Sequence, residues 1–388
     1  MLAKTQQISS KSLLIVWVYY PAVGHLVEAL EVAANYHKAH PNLKIHLLVH
    51  HKSPYLLGDY CNFIEAVYPI DDEHGKHTES ISQLKLPDTF DYVVFPKRLL
   101  YTPEDFTSSL LACNRLLQKH FKARLWHGYN DTPDAHPQAL TSAPYSAFTI
   151  QIPTEKISFK LPTRIGYPLI AVMLKGASRQ SIWPSFRTWK KIFNTIHLAY
   201  PNATFIITGL SRVHSKAKVS TAKAKETVTD FINSIPGAIN AYDVGLDNQL
   251  GLIQRADVFL SPHTGFAFLA PCLGTPWLAL SGGQWAEPMP ARMPFYCVMP
   301  RCKKYPCNNG DIKIKCKLRL KFKQPIECMS NLTTKQEDII QGLKKLLDED
   351  YTFEKAYDDY AQLAFLNQVN LRKLSIAPEF VYKIRGEK

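Results

Sequence analysis

The sequence predicts an α/β protein made of two doubly wound parallel-sheet halves. Three observations carry that expectation. Strand-like and helix-like segments alternate from Leu13 onward, break off in a stretch rich in Pro, Ser, Thr and Ala between Asn130 and Pro153, and then restart. At 388 residues the chain is long enough for two cores of roughly 100–200 residues each. With 46% hydrophobic and 20% charged residues, the composition is that of a globular protein and excludes a wholly disordered or collagen-like chain.

In the first half, Leu13–Tyr19 is a continuous β-branched and aromatic run, as a strand buried on both faces requires. Leu26, Val27, Leu30, Ala33 and Ala34 fall at helical spacing, and Pro41 closes that segment. Ile45–Val49 and Tyr92–Phe95 read as further strands and Phe106–Phe121 as a helix. In the second half, strand Leu169–Leu174 is followed by a Gly176-Ala177-Ser178 turn, helix Ser185–Tyr200 and strand Thr204–Thr208. A basic loop, Arg212 to Lys225, precedes helix Thr227–Ile235. Helix Leu246–Arg255, strand Asp257–Leu260, a short helix from Phe266 and strand Trp277–Leu280 follow. The tail reads as helices Thr334–Leu347 and Phe353–Leu374. The expected organisation is a first Rossmann-like domain over 1–155 and a second over 165–330, with a Cys/Lys-rich insert at 297–328. A helical tail over 331–388 is expected to pack back across the join. Two doubly wound halves joined by a linker leave a cleft between them, and open α/β sheets bind ligands beyond the carboxyl ends of their strands.

No apolar run approaches the roughly 18 residues of a membrane span. Lys4 and Lys11 before Leu13–Tyr20 imitate the start of a signal peptide, but the apolar stretch is short and no small-residue cleavage site follows. The expectation is a buried first strand in a cytoplasmic protein. The formal net charge is +13, and the nine Lys/Arg between Arg301 and Lys323, opposed there only by Asp311, supply most of it. Within that stretch Lys313, Lys315, Lys317, Arg319, Lys321 and Lys323 alternate with Ile314, Cys316, Leu318, Leu320 and Phe322. Such a period belongs to a half-buried strand over 312–323 with a basic outer face. Lysines of this kind protect a sheet edge from pairing, or they bind an anionic acceptor or the inner face of a membrane. Nucleic acid is not the expected partner, since no reading motif accompanies the charge.

The cysteines divide in the same way. Cys61, Cys113 and Cys272 are scattered in apolar contexts, as core thiols are. Cys302-x4-Cys307-x8-Cys316-x11-Cys328 is a cluster whose spacing is wider than a zinc ribbon. It suits either a structural zinc or iron site or a set of reduced, unligated thiols.

The most informative segment runs from Ala256 to Leu280 as strand, tight loop, short helix, Gly-Thr-Pro turn and strand. The loop Ser261–Gly265 feeds a helix start, where free N–H groups and the dipole favour phosphate. Thr264 adds a hydroxyl and Gly265 permits close approach. The plainer alternative is an ordinary βαβ turn with a glycine for its geometry. This block, with Leu273-Gly274-Thr275-Pro276 and Ser281-Gly282-Gly283, resembles the C-terminal signature of glycosyltransferase family 9, the heptosyltransferase-like enzymes of GT-B fold. Lys175-Gly176-Ala177-Ser178-Arg179 followed by Trp183-Pro184 resembles the family's donor-diphosphate loop, and Asp243 with Leu246 to Leu252 its short preceding helix. The resemblance covers about 165–332 well and the first 150 residues in outline.

What the resemblance implies is two Rossmann-like domains facing across a cleft, with Gly176, Ser178 and Arg179 contacting the donor phosphates beside Thr264 and Gly265. Some relatives carry a cysteine-rich insert ending in a pair like Cys328-Met329, and certain autotransporter heptosyltransferases use such cysteines for iron. The chain departs from the family at three places. His263 stands where the family has Asp, and Ser181-Ile182 where it often has Lys before Trp-Pro. Gly24-His25 replaces Gly-Asp after the first strand, and a Gly-His there resembles the base position of plant-type family 1 transferases. His263 is read as a donor-site residue or as a histidine serving its turn, and Glu287 as a partner for sugar hydroxyls or as a turn cap.

Inverting sugar transfer needs a base for the acceptor hydroxyl and positive or N–H groups for the departing diphosphate. A histidine suits the first task, so His25 is the candidate base, against the plainer role of capping its helix or packing on Tyr19 and Tyr20. The absence of an Asp-x-Asp loop motif leads us to expect no metal in catalysis. The expected function is transfer of a sugar from a nucleotide-diphosphate sugar to a glycan, lipid-linked or protein acceptor. The rivals are a nucleotide-sugar epimerase of the same fold and a non-catalytic scaffold.

Overall fold

A computed structural model of the chain describes residues 11–18, 23–70, 85–95, 122–128, 139–143, 147–176, 183–210, 222–281, 292–300 and 327–366. The chain forms two compact units, Met1–Ile150 and Gln151–Lys388. Phe106–Phe121, the basic strand 312–323 and the tail beyond Leu366 lie outside the described residues.

In the first unit, strands β1 (Ser12–Trp17), β2 (Lys44–His50), β3 (Ala66–Ile70), β4 (Thr89–Phe95) and β5 (Lys122–Gly128) form a sheet in the order β3-β2-β1-β4-β5. Its described pairings are all parallel. Central β1 has Leu13, Leu14, Ile15 and Val16 fully buried, with Ile15 opposite Leu47 on one side and Val94 on the other. A strand covered on both faces has no solvent side, which is why its sequence runs apolar without alternating. The Asp91 carboxylate accepts hydrogen bonds from the Ser12 amide (2.7 Å) and hydroxyl (3.2 Å), pinning the start of β1 to β4. Helix α1 (Val23–Ala39) buries Leu26, Val27, Leu30, Ala33 and Ala34, with Ala29 and Tyr36 widening the stripe. The described stretch 139–143 docks on the end of α1, where Ala143 N–H donates to Asn35 O and His40 Nε2 bonds Thr141 O.

The second unit carries β6 (Leu169–Met173), β7 (Thr204–Gly209), β8 (Ala238–Tyr242), β9 (Val258–Pro262), β10 (Trp277–Leu280) and β11 (Phe295–Val298) in the order β11-β10-β9-β6-β7-β8. Its described pairings are parallel too. Helix α2 (Phe186–Ala199) begins at Ser185, whose hydroxyl accepts from Thr188 N–H (3.1 Å). It seats Trp189 by an indole bond to Leu174 O (3.0 Å). Helix α3 (Ala222–Asn233) starts five residues before the expected Thr227, so the basic loop read over Arg212 to Lys225 ends inside a helix. Helix α4 (Leu246–Gln254) precedes β9. The segment from Phe266 is a single 3₁₀ turn, Gly265–Phe268, followed by one turn of helix, α5 (Leu269–Cys272).

The stretch between about 155 and 165, left between the two expected domains, belongs to the second unit. Ile152 N–H donates to Gln254 Oε1 (2.8 Å) and Phe159 N–H to Asn248 Oδ1 (2.7 Å), and Ile157 lies on Gly251 where a Cβ would collide with it. After the short helix α6 (Glu327–Ser330), helices α7 (Gln336–Leu346) and α8 (Phe353–Leu366) pack on β10 and β11. Gly342 of α7 sits against the Tyr296 ring, and Phe353 and Tyr360 of α8 flank Phe295. Among the described residues, no helix is long and apolar enough to cross a membrane.

Candidate functional site

Each sheet has one place where strand order reverses. In the first unit β1 leads outward to β2 and β3 on one side and borders β4 on the other. In the second, β6 leads to β7 and β8 while β9 returns along its opposite edge. Loops leaving two such strands run in opposite directions and open a crevice at the carboxyl ends, which is where open α/β sheets take ligands.

His25 stands at the first of these places. Because α1 follows β1 in a parallel sheet, its first turn lies at the carboxyl end of β1. The imidazole Nδ1 is 2.8 Å from Glu28 Oε2, one turn further on. A carboxylate only accepts, so Nδ1 carries the proton and the Nε2 lone pair is the basic one. The two side chains are 31% and 40% exposed, open enough to meet a solute. Glu31, one turn beyond, is held protonated over much of the ordinary range. Burial first and the Glu28 charge second raise its pKa to about 7. At the end of β1 the buried Trp17 indole N–H has no hydrogen-bond partner among the described residues.

At the second place the structure brings two of the sequence motifs into contact. A Cβ on Gly176 would lie 2.9 Å from Thr264 Cγ2 and 3.2 Å from the Trp183 ring, so only glycine lets the loop after β6 close on the loop after β9. Thr264 is the cap of the 3₁₀ turn. Its hydroxyl oxygen accepts from Ala267 N–H (3.2 Å), and its proton points at Met173 Sδ (3.8 Å). Gly265 is the first residue of that turn. The His263 ring is 5% exposed, stacked on Trp277 (5.8 Å between centroids) with Phe268 set against it edge to face. Trp277 in turn donates its indole N–H to Ser261 Oγ (3.0 Å). The segment is therefore an aromatic-braced turn, tighter than the helix start that its sequence suggests.

Ser178, Arg179, Glu287, Cys302, Cys307 and Cys316 lie outside the described residues. Cys328 is half-buried in α6, while Cys61, Cys272 and Cys297 are buried. Burial, helped by Asp59, pushes the Cys61 thiol up to about 12, as an inert core thiol should be. Two side chains gain importance that the sequence had not assigned. Glu28 was legible only as the residue three positions after His25. Lys175, next to Gly176, opens the segment that resembles the donor-diphosphate loop, but it was given no role of its own. It is half-buried, and burial lowers its pKa.

No family model matches the sequence, and no curated protein matches it. Solved structures do match in shape. The glycosyl transferase family 9 protein from Veillonella parvula DSM 2008 is 14% identical, with a TM-score of 0.56 over 87% of this chain and 97% of that one. The E. coli ADP-heptose lps heptosyltransferase II is 13% identical, with a TM-score of 0.53 over 87% and 98%. At such identities the likeness is one of fold. The chain has the two-sheet α/β architecture of these GT-B glycosyltransferases.

Proposed function

We propose that the chain is a glycosyltransferase that moves a sugar from a nucleotide-diphosphate sugar to an acceptor hydroxyl with inversion, using His25 as the general base. The observation that carries this reading is the placement of its chemistry-bearing residues at the strand-order reversals of the two sheets. An imidazole–carboxylate pair occupies one, and the glycine–threonine contact with an adjacent lysine occupies the other. The first suits proton removal, and the second suits an anionic leaving group.

In the proposed step the acceptor O–H proton passes to His25 Nε2 as its oxygen bonds the anomeric carbon. The bond from that carbon to the diphosphate oxygen breaks, and the electron pair leaves with the diphosphate. Glu28 keeps Nδ1 protonated, so the ring presents the correct nitrogen and its positive charge is matched once the proton arrives. Gly176 and Gly265 allow close approach of a diphosphate, while Thr264 serves by holding the turn, its hydroxyl being engaged there. The burial of His263 favours a ring that shapes the turn over one that touches the sugar. Ser178, Arg179 and Glu287 complete the proposed donor contacts.

The test is a thermal-shift screen with ADP, GDP, UDP and dTDP, followed by product analysis with the matching sugar nucleotides. One nucleotide should raise the melting temperature, and its sugar nucleotide should be consumed only when an acceptor is present. A donor isomerised without acceptor points to an epimerase instead. His25→Ala should lower turnover by about 10²- to 10⁴-fold without loss of nucleotide binding. Glu28→Gln should lower kcat with KM preserved. Unchanged turnover in His25→Ala removes the base assignment.

A further inference from the structure

From Lys156 to Lys225 the sequence holds thirteen Lys and Arg and no Asp or Glu. Helix α2 lies inside that run and in the middle of a helical layer. On one side is α3, whose Phe231 stacks on Phe186 (4.3 Å between centroids), and on the other α7, which covers β10 and β11. The helix turns Thr188, Trp189, Ile192, Phe193 and Ile196 inward. Exposed Arg187, Lys190, Lys191, Asn194 and Leu198 recur every three or four positions and form one outer stripe, about 16 Å long. Among the described residues, no ion pair or side-chain hydrogen bond engages these three cations. The neighbouring helices supply no surplus of acid, since α3 and α7 each carry two acidic and two basic residues.

Apolar groups stand at the C-terminal end of the same stripe. Leu198 is 87% exposed, Tyr167 60% and Ile165 40%, three of the seven large apolar side chains that are exposed among the described residues. The turn that closes α2 brings them together. Gly166 N–H donates to Thr204 Oγ1 (2.9 Å), and a Cβ on Gly166 would strike Asn202 O, so 165–167 runs along the turn 200–204. Burial first, and the nearby Tyr167 second, raise the pKa of Tyr200 in that turn. Exposed Arg164 adds a fourth cation at this end. We infer that the outer face of α2, with Arg164, Ile165 and Tyr167, docks on the surface of an anionic lipid bilayer. Unpaired cations match lipid phosphates and carboxylates, while leucine, isoleucine and tyrosine enter the interfacial layer beneath them. Nucleic acid would engage the cations but leave Leu198 and Ile165 in water. The surface is separate from the basic stretch 312–323, and the inference does not rest on the sugar-transfer reading. Because α2 returns antiparallel to the strands it connects, its apolar end lies at their amino ends, away from the crevice.

The experiment is co-sedimentation of the full chain with phosphatidylcholine vesicles, either pure or holding about 30 mol% phosphatidylserine. Wild type should bind the anionic vesicles, leave the neutral ones in solution, and be released as salt rises. The triple variant Arg187→Gln, Lys190→Gln, Lys191→Gln should bind the anionic vesicles about 10- to 100-fold more weakly. The double variant Leu198→Ser, Tyr167→Ser should lose about tenfold with every cation in place. Lys38→Gln, Lys44→Gln and Lys122→Gln together remove the same charge from exposed positions of the first unit, and that control should bind as wild type. Each substituted side chain is exposed, so melting temperatures should stay at the wild-type value. Wild type without affinity for anionic vesicles overturns the inference, as does equal loss in the two triple variants, which would report net charge alone. If the α2 triple variant loses binding while the Leu198–Tyr167 variant keeps it, the face meets a polyanion without inserting, and the bilayer is the wrong partner. Displacement of wild type from the vesicles by a duplex oligonucleotide that the α2 triple variant fails to bind would assign the face to nucleic acid instead.

Discussion

At the scale of single residues, the first turns of α1 bring three titratable groups close together: His25, Glu28 and Glu31. Glu31 gives a prediction independent of catalysis. Its carboxyl titrates near 4.5 in the unfolded chain and about 7 in the fold. Below pH 4.5 both states hold the proton and the group is neutral to stability. Between those values the unfolded chain releases its proton while the fold keeps it, so stability falls as pH rises, and the full penalty is present above pH 7. Glu31→Gln should therefore raise unfolding stability at pH 8 by on the order of 1–3 kcal/mol and change it little at pH 4.5. Urea unfolding at the two pH values measures this, and equal effects at both would show that burial does not act through the charge. His25 was singled out in the sequence as the candidate base from its place after the first strand, whereas its pairing with Glu28 is a feature of the fold. The environment of Glu31 could not be read from the sequence, because burial is a property of neighbours brought together by folding.

At the scale of elements, the strands buried on both faces were the easiest to read. β1, β2, β6, β7 and β10 are runs of Val, Ile, Leu and aromatics, and their expected positions agree with the observed ones to within a residue or two. β3 (AVYPI), β5 (KARLWHG), β8 (AINAY) and β11 (FYCV) were not read as strands. All four are edge strands, and β11 is only four residues long, so their sequences carry too little apolar pattern to stand out. What holds β11 is the cover supplied by α7 and α8. Gly342 is the closest point of that contact, where an added Cβ would press into the Tyr296 ring and lie 2.8 Å from a Leu278 methyl. Gly342→Ala should cost about 1–3 kcal/mol by overpacking, despite alanine's better helix propensity, which contributes roughly 1 kcal/mol in the opposite direction. Denaturant unfolding would decide it, since a gain in stability would mean that α7 simply lifts off.

At the scale of the whole molecule, each unit has its own sheet and its own covering helices. The stretch after Ile150 is bound to α4 by Gln254 and Asn248, so the boundary lies before it. Calorimetry should then resolve two transitions in place of a single two-state one. On the proposed reading, a nucleoside diphosphate should raise only the transition of the second unit. A single transition that shifts as a block would mean that the units unfold together. The fold likeness to glycosyltransferases at 13–14% identity belongs to this scale as well. Layer order and strand direction persist where side chains have diverged, because many sequences satisfy the same pattern of buried strands.

The sequence alone determined the fold class, the second-half motifs and the candidate base, since each rests on local pattern: apolar runs, glycine punctuation, a histidine after a strand. The tertiary structure decided what those residues do to one another. It placed Gly176 against Thr264, engaged the threonine hydroxyl in a cap, enclosed His263 between aromatic rings and left Lys175 half-buried beside Gly176. The physical reason is that strands far apart in the chain become neighbours in a parallel sheet. Contact, burial and charge compensation at their ends are set by that pairing, which no local stretch of sequence contains.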